Sequence, residues 1–160
     1  MKRILMLAAA LLMLLPMALW ASKNESVIPE YEIAGADQTA AQGTYVVKIS
    51  IFTKKKNVDA DELARAAVHG VLFRGFSGQR SHQKPLARTA AAEAQHAEYF
   101  KNFFAPNGTA RSYTHEVGGS RQVVKSGKQY RTTAVMVVEK DQLRRDLEKA
   151  GVLGGLNTGF

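Results

Sequence analysis

Four histidines, His69, His82, His96 and His115, are the side chains of this sequence most readily turned to catalysis or metal binding. Glu93 and His96 stand at the i, i+3 spacing of carboxylate-bridged metal sites, which places both groups on one face of a helix. Such sites need the pair twice, with two further carboxylates, and no second Glu-x-x-His occurs. There is no His-x-x-x-His pair, so a helix-borne zinc site is not indicated. Scattered surface or capping histidines account for the pattern, and His69, beside an apolar helical stripe, reads as a packed side chain. The chain has no cysteine, and hence no thiolate nucleophile, thiolate ligand or disulfide. Gly75-Phe76-Ser77-Gly78-Gln79 matches half of a nucleophile elbow, which requires glycine two residues before and two after the serine on a strand-to-helix turn. Here the second glycine comes one place early and the serine follows a helix. No catalytic residue, cofactor or metal ligand is assigned on these grounds.

The stretch from Arg74 to Arg88 holds more usable chemistry. Arg74, Arg80, Lys84 and Arg88 alternate with Ser77, Ser81, His82 and Gln83, ahead of an expected helix N-terminus. Cations beside exposed backbone N–H groups hold phosphate, sulfate or carboxylate. Arg74, Ser77, Arg80, Lys84 and Arg88 are therefore the candidate residues for an anionic ligand. The competing reading is a solvated loop whose glycines only permit the turn. A second basic cluster, Arg121, Lys125, Lys128 and Arg131, surrounds an expected hairpin turn, where positive charge discourages edge-to-edge strand pairing.

Periodicity supplies the elements that must position these groups. From Gly43 to Thr53 the residues alternate, with Tyr45, Val47, Ile49 and Ile51 on one side and Lys48 and Ser50 on the other. That is a strand covered on one face. Asp59 followed by Glu62 is a capping-box start for a helix that puts Leu63, Ala66, Ala67, Gly70 and Val71 on one face and ends near Gly75. A second helix is expected over 88–104, with Ala90, Ala94, Ala97 and Phe100 as its stripe. Strands follow at 110–117, 120–125 and 129–138, the last apolar on both faces near its end and so central. A final helix begins near Asp141, packs Leu143, Leu147 and Ala150, and stops at Gly151. The order predicts an α+β fold, a two-layer sandwich of a mostly antiparallel sheet with about three helices on one face.

The N-terminus carries a different signal. Met1-Lys2-Arg3 precedes an unbroken apolar run of 12 residues, Ile4 to Leu15, then Pro16 and the small residues Ala21 and Ser22. This is the layout of a secretory signal peptide, with cleavage expected after Ala21. The run falls short of the roughly 20 residues that cross a bilayer, so no transmembrane span is expected after cleavage. The domain reading is then 1–21 signal peptide, 22–42 flexible N-terminal segment with a short extended piece at Tyr31 to Ile33, and 43–160 a single α+β domain. Of 22 basic residues Lys2 and Arg3 leave with the leader, so 20 remain against 14 acidic ones. A basic exported domain meets anionic surroundings: an anionic glycan, a lipid head group or another envelope protein. Nucleic acid, rarely met outside the cell, is not an expected partner, and the oligomeric state is left open.

The segments Ala67-Val68-His69-Gly70-Val71-Leu72-Phe73-Arg74-Gly75-Phe76 and Gln83-Lys84-Pro85-Leu86-Ala87 resemble those of a group of small uncharacterised secreted proteins of Gram-negative bacteria. The stretch His96 to Phe104 and the ending Lys149-Ala150-Gly151-Val152 are similar too. The resemblance implies export to the periplasm or beyond and attaches no activity or site. The leading expectation is a non-enzymatic binding or envelope-associated module. Its rivals are a small hydrolase of an envelope polymer, with His82 or His96 and Glu93 as acid–base groups, and a subunit of an exported assembly using the apolar tail Leu153, Leu156 and Phe160.

Overall fold

A computed structural model describes residues 28–79, 82–89 and 91–154. The expected signal peptide, Arg80, and the tail positions Leu156 and Phe160 lie outside these residues. The chain runs β1 (Tyr31–Gly35), β2 (Tyr45–Thr53), α1 (Ala60–His69), a π-helical turn (Gly70–Arg74), β3 (Phe76–Ser77) and β4 (His82–Gln83). It continues through α2 (Ala92–Gln95), α3 (Ala97–Phe103), a 3-10 turn (Thr109–Tyr113), β5 (Thr114–Glu116), β6 (Gln122–Ser126), β7 (Gln129–Val138) and α4 (Lys140–Lys149).

The fold is α+β, with a five-stranded antiparallel main sheet. β7 lies at its centre. β2 pairs along one side of β7 and β1 completes that side, while β5 and β6 follow one another along the opposite side. The period-two pattern fixes which face is covered. Val47, Ile49 and Ile51 of β2 are buried, and so are Ala134, Met136 and Val138 of β7. Register places Val47 opposite Met136 and Ile49 opposite Ala134, so these side chains share one face and stack against α1, which crosses β2, β5 and β7. On the other face Lys48 and Arg131 are exposed, and Ser50 and Thr133 share a hydrogen bond of 2.9 Å.

α1 starts as its sequence dictates, with the Asp59 N–H donating to the Glu62 carboxylate at 3.1 Å. It buries Leu63 and Ala66 to Val68, and the following turn buries Val71 and Leu72. Gly70 lets β1 approach, since a Cβ there would come within 2.6 Å of Ile33 Cδ1. The buried Val71 and Leu72 carry the apolar stripe past the end of regular α-helix, where the chain widens into the π turn. Gly75, at φ +68° and ψ −174°, then ends it in a conformation open essentially to glycine alone.

Three expectations need correction. Residues 88–104 are not one helix: α2 and α3 are separate, and His96 between them leaves helical geometry at φ −117° and ψ 33°. Ala94 and Ala97 face solvent, while Ala92, Phe100, Phe103 and Phe104 are buried; the aromatic side chains, with far more apolar area, decide which face turns inward. The strand expected at 110–117 is a 3-10 turn over its first half. Ala110 is fully buried, and the Ser112 hydroxyl donates to the Thr109 carbonyl at 2.7 Å, a local bond that competes with extended structure. Within the segment read as a flexible lead-in, the short extended piece expected at Tyr31 to Ile33 is there and runs on as an edge strand, Tyr31–Gly35, paired to β2, with Tyr31 buried.

Candidate functional site

The backbone first pins the loop 74–88 in place. The N–H groups of Leu86 and Ala87 donate to the carbonyls of Val71 (3.1 Å) and Leu72 (2.9 Å), tying the loop's far end to the π turn. Leu86 and Ala87 are buried. β3 and β4 pair Phe76 with Gln83 and Ser77 with His82, which folds the loop back on itself. A Cβ on Gly75 would collide with the Gln83 carbonyl oxygen, so this doubling back depends on glycine.

The folded loop forms one wall of a cleft of about 800 Å³, lined by Tyr45, His82, Gln83, Lys84, Pro85, Leu86, Arg88 and Arg144. Tyr45 comes from the start of β2 and Arg144 from α4. The Tyr45 hydroxyl donates to Gln83 Oε1 at 3.0 Å and so holds the loop wall to the sheet. The Lys140 ammonium sits 5.3 Å over the Tyr45 ring and is paired with Asp141. Arg144 reaches the cleft with its Nε on Glu148 Oε1 at 2.9 Å. Among the described residues Lys84 and Arg88 form no ion pair and no carboxylate lines the cleft. Cations gathered on a concave wall focus the field and favour a negatively charged occupant.

Of the five candidate residues Arg80 lies outside the described residues, and the other four divide. Lys84 and Arg88 line the cleft. Ser77 does not, but its hydroxyl is 2.9 Å from Nδ1 of His82, which does. Arg74 is engaged elsewhere: its Nη1 donates to the Tyr31 carbonyl at 3.0 Å and its guanidinium lies 4.2 Å over the Tyr31 ring. The helix N-terminus expected just past Arg88 is replaced by the four-residue α2, beginning at Ala92, so helix N–H groups do not contribute to the cleft. Tyr45 and Arg144 were invisible from local sequence. Leu143 and Leu147 mark the buried stripe of α4, which puts Arg144 beside that stripe, but nothing in the spacing tells which loop it meets.

A second cluster joins three elements. The Tyr31 hydroxyl lies 2.6 Å from His69 Nδ1, and His69 Nε2 lies 3.1 Å from Glu93 Oε1. A carboxylate only accepts, so the neutral ring donates from Nε2 to Glu93 and accepts the Tyr31 proton at Nδ1. The His69 ring packs against Phe73 (centroids 5.1 Å apart) and Phe104 (5.5 Å). Burial lowers the His69 pKa, and Glu93 opposes the shift without reversing it. Burial also raises the Tyr31 pKa. Glu93 is thus hydrogen-bonded to His69 and not to His96. Among the described residues no group of three or more histidine, cysteine, aspartate or glutamate side chains is placed to hold a metal ion.

No family model matches the chain, and no curated protein and no solved structure is significantly similar to it.

Proposed function

We propose that the protein is an exported, non-enzymatic binding module of the cell envelope, and that its cleft takes an anionic group of a glycan or a lipid head group. One observation carries the reading: Lys84, Arg88 and Arg144, brought from two distant segments, line one concave surface to which, among the described residues, no carboxylate contributes. Lys84 and Arg88, which form no ion pair among the described residues, carry the charge that an entering anion offsets, and guanidinium groups offer paired donors to phosphate, sulfate or carboxylate. Tyr45, His82 and Gln83 add hydrogen-bonding groups, and Pro85 and Leu86 an apolar wall. The export half of the proposal rests on the leader-like residues 1–21. The hydrolase reading has less behind it, because Glu93 is committed to a histidine packed among phenylalanines.

The triple variant Lys84→Ala, Arg88→Ala, Arg144→Ala tests the binding half. Retention on immobilised dextran sulfate and on phosphatidylglycerol vesicles is compared with wild type at low salt. The variant is expected to lose affinity for one of them at least about tenfold, and the matrix that responds identifies glycan or lipid. Equal retention of both proteins on both matrices overturns the proposal. The protein recovered from the periplasm or medium should have the mass of residues 22–160; a cytosolic species that retains Met1 contradicts export.

A further inference from the structure

The β6–β7 hairpin leaves a strand edge whose composition suits a strand with neighbours on both sides. All five residues of β6 are exposed, and two of them are adjacent valines, Val123 at 42% and Val124 at 49% exposure. Val123 lies on the covered face, opposite the buried Thr132, and Val124 on the open face, opposite Arg131. β-branched side chains on both faces are the pattern of an inner strand. Among the described residues β6 nevertheless pairs with β7 alone.

The free edge follows from the turn. Gly127, at φ +60°, opens a two-residue hairpin loop closed by Ser126 and Gln129. The closing pair exchanges both backbone hydrogen bonds, and antiparallel pairing then alternates. Gln122, Val124 and Ser126 therefore bond to β7, while the N–H and C=O groups of Val123 and Lys125 point away from the sheet. The β7 side agrees: the Val135 N–H and C=O both engage the chain before β6, at Ser120 Oγ (3.0 Å) and the Val117 N–H (2.9 Å).

Charge selects among occupants. Of the basic residues here, Arg121 is paired with Glu116, while Lys125, Lys128 and Arg131 form no ion pair among the described residues. A second copy of the chain would bring two such sets of cations together and is repelled. A membrane-inserting hairpin needs an apolar tip, and this tip reads Ser126-Gly127-Lys128-Gln129. We infer that the β6 edge receives an acidic, extended polypeptide segment that adds as a further strand, its backbone pairing with Val123 and Lys125 and its carboxylates on the face of Lys125, with Lys128 at the turn beside them. This surface is separate from the cleft and does not depend on it.

The test uses a labelled peptide of about six residues alternating glutamate and valine, a peptide with lysine in place of glutamate, and polyglutamate of equal charge. Binding is followed by fluorescence anisotropy, and amide hydrogen exchange is read at Val123 and Lys125. The glutamate–valine peptide should bind and slow exchange at both amides by about tenfold or more, and the other two should not. Val123→Pro removes an outward N–H without touching the β6–β7 ladder and should abolish binding, while Lys125→Glu, which changes charge alone, should weaken it. The inference is overturned if the two amides gain no protection, if the lysine peptide or polyglutamate protects them equally, if Val123→Pro binds like wild type, if phosphatidylglycerol vesicles alone protect them, or if protection rises with protein concentration in the absence of peptide.

Discussion

His69 stands where three elements meet. Its ring accepts a hydrogen bond from Tyr31 of β1 and donates one to Glu93 of α2, and the rings of Phe73 and Phe104 pack against it. Burial depresses its pKa, so the folded protein prefers the neutral ring more strongly than the unfolded chain does. The unfolded chain then binds the extra proton first as pH falls below the ordinary value of 6.5. The stability that this group contributes is fully present above that pH and is lost as pH drops toward the folded value. Thermal unfolding between about pH 8 and pH 5 should show wild type losing stability below 6.5, with the loss reduced in His69→Gln; parallel curves for the two proteins would contradict this. Tyr31→Phe, which leaves Nδ1 without its donor, should cost about 1–3 kcal/mol at neutral pH, measured by denaturant unfolding.

At the level of elements, legibility followed the strength of each period. β2 and β7 declared themselves because burial on one face demands alternation, and α1 because Asp59 and Glu62 cap it. The segment 88–104 misled because alanines at helical spacing are compatible with either face, and Phe100, Phe103 and Phe104 were the side chains whose burial decided the matter. The 3-10 turn at Thr109–Tyr113 escaped because its cause is a local hydroxyl-to-carbonyl bond that has no period. One wall of the cleft was legible: Lys84 and Arg88 lie in a loop that composition singled out. Tyr45 and Arg144 reach the same place only through sheet pairing and the packing of α4, which no local pattern encodes. The loop's course also depends on Gly75, whose φ of +68° and closeness to the Gln83 carbonyl exclude a Cβ. Gly75→Ala should cost about 2 kcal/mol or more, lower Tm by roughly 5–10 °C, and weaken anion binding, because the wall carrying Lys84 is displaced. A Tm and an affinity equal to wild type would show that the turn does not set the wall.

Across the whole molecule, the covered face of the sheet supplies stability and the features suited to recognition lie at its margins. The cleft sits where the start of β2, the loop after β4 and α4 converge, and the β6 edge lies on the other flank of β7. An excess of basic over acidic residues, 22 against 14, would by itself attract anions anywhere on the surface, so the central claim is one of place: an anion is held by the converging walls of the cleft. Titration of isotope-labelled protein with inorganic phosphate, followed by backbone and side-chain NMR shifts, measures place directly. The largest saturable shifts are expected at Gln83, Lys84, Arg88 and Arg144, with Tyr45 responding through its bond to Gln83. Shifts that do not saturate, or that are largest at Lys125, Lys128 and Arg131, would contradict the account.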